Sequence, residues 1–518
     1  MPAPVRTELT LPAAPAMLPL VQDHVRSLGS IAGLPGDQGE ALALAVREAC
    51  KNSLDRAGEE DETSVFKLTG ELTPAALTLS LFDRGLPFSE TLEPEAPLPD
   101  PESASTPAFP GGSLAAIQHG ADEVRWINHG VEGNELRLTK YLAGVCRLES
   151  PGDKPPVPRP GTIQPGAAGD YAIRLLSPGD ARSIAQLMYR VYGYTYSNVD
   201  FYYPDRLAHD LETGRHLGVV AVAGDGEIVG HVGVERPDLG PLAELGQLAV
   251  APAHRGQGLR KRMGDRLQAE IRRLGLIGLF AEAVTIHTVS QQGSDSRGLF
   301  PTGIKLLDWQ AHFKRLQYLY QGDTGTEEAP QRESLVFYFQ YLSHPGAKAV
   351  CAPSRHREML GKIYGNLKVE LHFLEPSGAT GPGRLAVHYD QTTGAGSIQV
   401  NRIGIDTLPA IYQARRDLCH MAGAKVVGLY LPLAQGGTPF LCEAAEAEGF
   451  FLSGVQPEFA GDGDFLRLQY LNAPLDLERL HLSSPFAREL LEYILQERER
   501  LNQDLVRRDG QEKDSQGG

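Results

Sequence analysis

A chain of 518 residues with a formal charge of −16, 42% apolar and 22% charged, is long enough for roughly three or four domains of ordinary size. Its acidic balance repels a polyanion over most of the surface, which argues against nucleic acid as a partner, and no apolar window is long enough to cross a bilayer. Met1 to Leu20 lacks a basic stretch followed by an apolar block, so no secretion signal is read and a cytoplasmic protein is expected. Cys50, Cys146, Cys351, Cys419 and Cys442 form no CxxC pair, which argues against a zinc knuckle or a disulfide framework.

Pro- and Gly-rich stretches at 147–170 and 321–333 read as linkers. They divide the chain into blocks at 1–146, 171–320 and 334–475, followed by a C-terminal segment, 476–518. The expected class is α/β with several domains.

In the first block, GDQGEALALAVREACKNSLDRA (36–57) predicts a helix with Leu42, Val46, Ala49, Cys50 and Ser53 on one face. Glu48 and Asn52, one turn apart, share the opposite side, which alone reads as a solvated polar face. Alternating strands SVFKLTG (64–70) and ALTLSLFDRGLPF (76–88) follow, then a Pro- and Glu-rich loop at 89–110 and the run FPGGSL. Together these boxes resemble the GHKL ATPases, in particular the ATP-binding domains of the anti-sigma-factor serine kinases. ExxxN is Glu48 and Asn52, DxGxPF is Asp83, Gly85, Pro87 and Phe88, and a degenerate GxGL box spans Gly111, Gly112 and Leu114. The resemblance implies an α/β sandwich that binds ATP, with Asn52 on magnesium, Glu48 positioning or deprotonating the attacking group and Asp83 reading the adenine amino group. It also implies Gly111 and Gly112 beside the phosphates and 89–110 as a lid.

The middle block opens with the strand YAIRLLS (171–177) and a helix through Ile184, Leu187, Met188 and Val191. Two strands then meet at Asp225-Gly226, a hairpin signal. LAELGQLAVAPAHRGQGL (242–259) reads as a strand, a turn and the start of a helix; LIGLFAEAVT (276–285) reads as the last strand. A basic, glycine-rich turn at a helix N-terminus favours an anion, because free N–H groups and the helix dipole point at it. GxxxxGK[ST] and GxGxxG are missing, so the turn is neither a P-loop nor a dinucleotide fingerprint.

The run VAPAHRGQGLRKRM (250–263) resembles the acyl-coenzyme A signature of the GNAT acetyltransferases. Arg255, Gly258 and the position of Arg260 align with the motif, Gly256 and Gln257 fill its variable positions, and Leu259 opens the helix; Arg260 stands where the family usually has Gly or Ala. The resemblance implies acetyl transfer from acetyl-CoA to an amine. The backbone of Leu248 and Val250 would hold the pantetheine arm, the turn from Arg255 to Arg260 the pyrophosphate, and Ser290 would touch the coenzyme. Glu244 and His287 are the candidate bases, with an exposed glutamate and a packing histidine as the structural alternatives. Tyr189, Tyr192, Tyr194, Tyr196, Tyr202 and Tyr203 crowd the region where the family receives its acceptor; the last four are candidate contacts, and core packing is the alternative.

The third block resembles a second, degenerate GNAT-like domain, through its strand order and the passage FLCEAAEAEGFFLSGVQPEF (440–459). It lacks RxxGxG and offers Asp406 and Pro409 at that place, so it is expected to pack on the active block or shape the acceptor site. Residues 485–507 predict an amphipathic docking or dimer helix through Leu490, Leu491, Ile494, Leu495 and Leu501, and the residues after it are expected to be disordered.

The expected function is an N-acetyltransferase acting on an amine, small molecule or protein, with a regulatory ATP-binding domain. A regulatory protein partner and a homodimer stay open, and no membrane partner is expected. The alternative is an anti-sigma-like serine/threonine kinase or partner switch that uses its GNAT blocks as sensors.

Overall fold

The computed structural model describes residues 5–56, 65–86, 112–142, 171–196, 198–236, 238–309, 332–391 and 393–516. They form two units: 1–213 with 220–231 and 249–260, and 214–219 with 232–248 and 261–518.

In the first unit, β1 (Val5–Pro12), β2 (Val65–Leu72), β3 (Ala76–Asp83), β4 (Glu123–Asn128) and β5 (Asn134–Tyr141) make an antiparallel sheet in the order β1-β2-β3-β5-β4. Helices α1 (Leu18–Ile31), α2 (Gly36–Arg56) and α3 (Gly112–Gly120) accompany it. The helical spacing of Val21, Val25 and Leu28 on α1 and of Leu42, Val46, Ala49 and Cys50 on α2 puts them in one core with Leu68, Leu77, Leu79, Leu136 and Leu138. This unit continues with β6 (Ala172–Leu175), α4 (Ala181–Tyr192) and α5 (Pro204–Thr213). Ile184, Leu187, Met188 and Val191 form the buried face of α4, as the periodicity predicts.

Strands β7 (His216–Val222), β8 (Ile228–Glu235) and β9 (Leu242–Val250) are divided between the two units, and α6 (Leu259–Ile271) follows. The second unit adds β10 (Gly278–Val284), α7 (Val289–Asp295), β11 (Phe300–Trp309) and β12 (Glu333–Tyr341). Then come β13 (Lys348–Val350), α8 (Arg357–Asn366) and β14 (Leu371–Phe373), the two strands pairing in parallel. The rest is β15 (Arg384–Asp390), β16 (Ala395–Arg402), α9 (Thr407–Arg416), β17 (Val426–Pro432), α10 (Thr438–Glu446), β18 (Phe451–Ala460), β19 (Gly463–Leu471) and α11 (Pro485–Gln516).

The sheet of this unit runs β15-β16-β17-β19-β18-β11-β12-β10-β9. The order β17-β19-β18 is repeated in reverse by β11-β12-β10. In each half a parallel pair, β16 with β17 or β9 with β10, is bridged by a helix. The halves meet at Gly303 and Gly454, where Gly454 has φ of +141° and a Cβ would come within 2.3 Å of the Gly303 Cα. Glycine is required there by the closeness of the two backbones.

Two boundaries differ from the sequence reading. β12, expected to open the third block, lies between β10 and β11, so the middle block does not end at residue 320. Apolar strands carry no mark of which sheet edge they will fill. The C-terminal helix, expected to end at 507, runs to Gln516, because its Arg, Glu, Gln and Lys residues all propagate a helix. Leu490, Ile494 and Leu501 bury against the core of the third block, so α11 is a docking helix of its own chain. No described helix is long and apolar enough to cross a membrane.

Candidate functional sites

The first site lies where α2 passes the end of β3. Ser53, one residue beyond Asn52, donates from Oγ to Asp83 Oδ2 at 2.6 Å, and both residues are buried. Asp83 Oδ1 accepts from the Gly85 amide at 2.8 Å, an Asx turn, and from Asn134 Nδ2 at 3.2 Å. The same Nδ2 reaches the Gly85 carbonyl at 3.0 Å. Asn134 is 1% exposed, and its Oδ1 has no hydrogen-bond partner among the described residues. A buried acceptor without a donor, beside a fixed carboxylate, is what a nucleobase amino group would complete. Glu48 and Asn52 are half-buried on the same helix, so Asn52 can offer an oxygen to a cation.

The second site is the turn after β9. Arg255 donates from Nε to the Val250 carbonyl at 3.3 Å, which folds the turn back onto the strand end. Tyr171 Oη and His254 Nδ1 lie 3.0 Å apart and brace its outer side. Gly256 and Gly258 have φ of +77° and +68°, and nothing lies within 4 Å of where a Cβ would stand on either. Positive φ at both positions suits glycine, and a turn of this kind before a helix N-terminus can present backbone amides to an anion. Leu259 is buried and anchors the helix, while Gln257 is exposed and Arg260 half-buried.

The third group is a cluster of charges in the second unit. The ladder between β9 and β10 joins only Leu242, Ala243 and Glu244 to Gly278, Leu279 and Phe280, after which the strands part. Gln247, in β9, has φ of +54°, in the left-handed region, and its Nε2 donates to Glu235 Oε2 at 3.2 Å. Burial first, then Glu282 and Glu235, push the Glu244 carboxyl up to about 8, with Lys305 opposing. Lys305 pairs with Glu282 and lies 3.8 Å from Asp308. Burial alone would depress that ammonium, yet Glu282, Tyr430 and Asp308 hold it above its ordinary value. Arg467, from β19, pairs with Asp308 at 3.0 Å and donates to Tyr430 Oη at 3.2 Å.

Two family models match the chain: the histidine kinase-like ATPase domain over residues 11–140 and the acetyltransferase (GNAT) family over residues 182–292. The chain joins an ATPase-like domain to a GNAT domain. The ATPase-like domain is similar to the serine-protein kinase RsbW of Bacillus subtilis (strain 168), 27% identical over 139 residues, which is 26% of this chain and 86% of the relative. Among solved structures, YncA of Salmonella typhimurium with its cofactor acetyl-CoA matches at 19% identity and a TM-score of 0.27, over 35% of this chain and 98% of that one. A phosphinothricin acetyltransferase of Sinorhizobium meliloti with acetyl-CoA matches at 18% and 0.26, over 34% and 89%.

In the ATPase-like domain, Glu48, Asn52, Asp83 and Gly85 fall on one helix and the adjoining turn, and Gly112 begins α3; Gly111, Pro87, Phe88 and the loop 89–110 lie outside the described residues. In the GNAT domain, Leu248 and Val250 end β9 and Ser290 sits in the first turn of α7, with its buried Oγ unpartnered among the described residues. Glu244 and His287 do not share an environment. The His287 imidazole is lowered by burial, and the charge it senses is His481. Of the tyrosines, Tyr202 is fully buried, and Tyr203 stacks 4.1 Å from the Arg206 guanidinium. Sequence reasoning missed Asn134, Glu282, Lys305, Asp308 and Arg467. Glu282 was the findable one, a lone acid in the apolar run GLFAEAV.

Proposed function

We propose that the GNAT domain transfers an acetyl group from acetyl-CoA to an amine, and that the ATPase-like domain binds Mg-ATP as a regulatory input. The supporting observation is Glu244, a carboxyl whose proton affinity is raised to about 8 where β9 and β10 part. A base with that affinity can take the proton of an alkylammonium near neutral pH. Ionised Glu244 accepts that proton, the freed amine attacks the thioester carbonyl, the C–N bond forms, the C–S bond breaks, and the second proton lost by the amine nitrogen passes to the departing sulfur, so that coenzyme A leaves as its thiol. Glu235 and Glu282 favour a cationic acceptor by charge. The turn from Arg255 to Arg260 offers amides to the pyrophosphate of the coenzyme.

Calorimetric titration with acetyl-CoA and with Mg-ATP tests this reading. Acetyl-CoA binding lost only in Arg255→Glu, and Mg-ATP binding lost only in Asn52→Ala, is the expected result. A second reading, a serine/threonine kinase or partner switch, is favoured by the similarity to RsbW and by the ordered Ser53-Asp83-Asn134 group. Phosphate transfer to a protein, abolished in Asn52→Ala, in a chain that binds no acetyl-CoA would select it.

A further inference from the structure

We propose that Tyr194 and Tyr189 belong to the nucleotide site, holding the Asp83-Arg84-Gly85 turn so that the segment 194–203 responds to nucleotide. This rests on the reading of Asp83 as a nucleotide contact. All the residues concerned lie in the first unit.

Tyr194 donates from Oη to the Gly85 carbonyl at 2.9 Å, and Tyr189 donates to the Arg84 carbonyl at 3.1 Å. The two rings meet edge to face at 4.9 Å, and the Arg84 guanidinium lies 5.8 Å from the Tyr194 ring centre. The Gly85 carbonyl also accepts from Asn134 Nδ2, so both of its lone pairs are engaged. The result is one hydrogen-bonded chain: Ser53 to Asp83, Asn134 to Asp83 and Gly85, Tyr194 to Gly85. A ligand that donates to Asp83 or to Asn134 Oδ1 repolarises the chain that ends at the Tyr194 hydroxyl.

Beyond Tyr194 the contacts continue. Its ring lies 5.3 Å from that of Tyr202, and Tyr202 Oη accepts from the Tyr196 amide at 3.1 Å. Tyr203 makes a second hold on the ATPase-like domain. Its ring packs on Gly130, where a Cβ would come within 2.0 Å of it. Burial first, with Tyr189 and Asp83 adding to it, keeps the Tyr194 phenol above its ordinary value, so the hydroxyl stays a donor. By linkage, whatever nucleotide does to this segment, the segment does to nucleotide affinity.

The test uses the full chain and Mg-ADP. Calorimetry gives Kd for wild type, Tyr194→Phe and Tyr189→Phe, and hydrogen exchange follows 194–203 with and without Mg-ADP. Removal of one hydroxyl is expected to change Kd by roughly 2- to 10-fold, the worth of one hydrogen bond. Mg-ADP is expected to alter exchange across the segment in wild type and less in Tyr194→Phe. If wild type binds Mg-ADP but Kd and exchange are the same in every variant, the proposal is overturned while the nucleotide reading stands. If wild type binds no Mg-ADP, the nucleotide reading fails and takes the proposal with it.

Discussion

The Lys305 ammonium is paired with Glu282, and Glu244, which senses both, is left with the raised proton affinity. A transfer reaction that uses Glu244 as base should therefore gain rate as pH rises toward about 8 and level off above it. Glu244→Gln should lower kcat/KM by about 10²- to 10⁴-fold and flatten that limb. Glu282→Gln, which removes a like charge, should move the limb to lower pH. A pH profile of the three proteins decides this.

The same group ties stability to pH. Between its ordinary value of 4.5 and about 8 the folded chain holds a proton that the unfolded chain has lost. Folding then binds more protons than unfolding, so this group's contribution to stability falls as pH rises through that window. Urea midpoints measured across the window should decline less steeply for Glu244→Gln than for wild type.

In the turn, Gly258 at φ of +68° has space but not conformational freedom for a side chain. Gly258→Val should cost about 1–2 kcal/mol of backbone strain, seen as weaker acetyl-CoA binding by calorimetry. Unchanged affinity would show that the coenzyme does not depend on this geometry.

Ser53→Ala removes the donor 2.6 Å from Asp83 Oδ2. The buried carboxylate should then destabilise the ATPase-like domain by about 1–3 kcal/mol and weaken Mg-ATP binding, read by thermal melting and calorimetry.

Arg467, 3% exposed, pairs with the half-buried Asp308. Arg467→Met alone should cost about 1–3 kcal/mol, because Asp308 loses its closer partner and is left with the Lys305 ammonium at 3.8 Å. Adding Asp308→Asn should recover part of the loss in denaturant titrations.

Much of this was legible in the sequence because it is local. ExxxN is one helical turn, the Asp83 box ends one strand, and the Arg255 to Arg260 turn is six consecutive residues. The face of α2 that buries Leu42, Val46 and Cys50 follows from spacing alone. What was not legible depends on distant pairing. Asp308 and Arg467 are 159 positions apart, and Asn134 reaches Asp83 across 51. β12 has the composition of any buried strand, and only the finished sheet says which neighbours it takes.

The seam at Gly303 and Gly454 has a practical consequence. Thr302 donates to the Val455 carbonyl at 3.0 Å and Ser453 to the Ile304 carbonyl at 2.7 Å, so β11 and β18 cover one another's edges. A fragment cut after β12 would leave β11, ten residues long and mostly buried in the full chain, open as a template for ladder growth between molecules. The third block thus shields its neighbour from aggregation as a permanent, covalently attached guard.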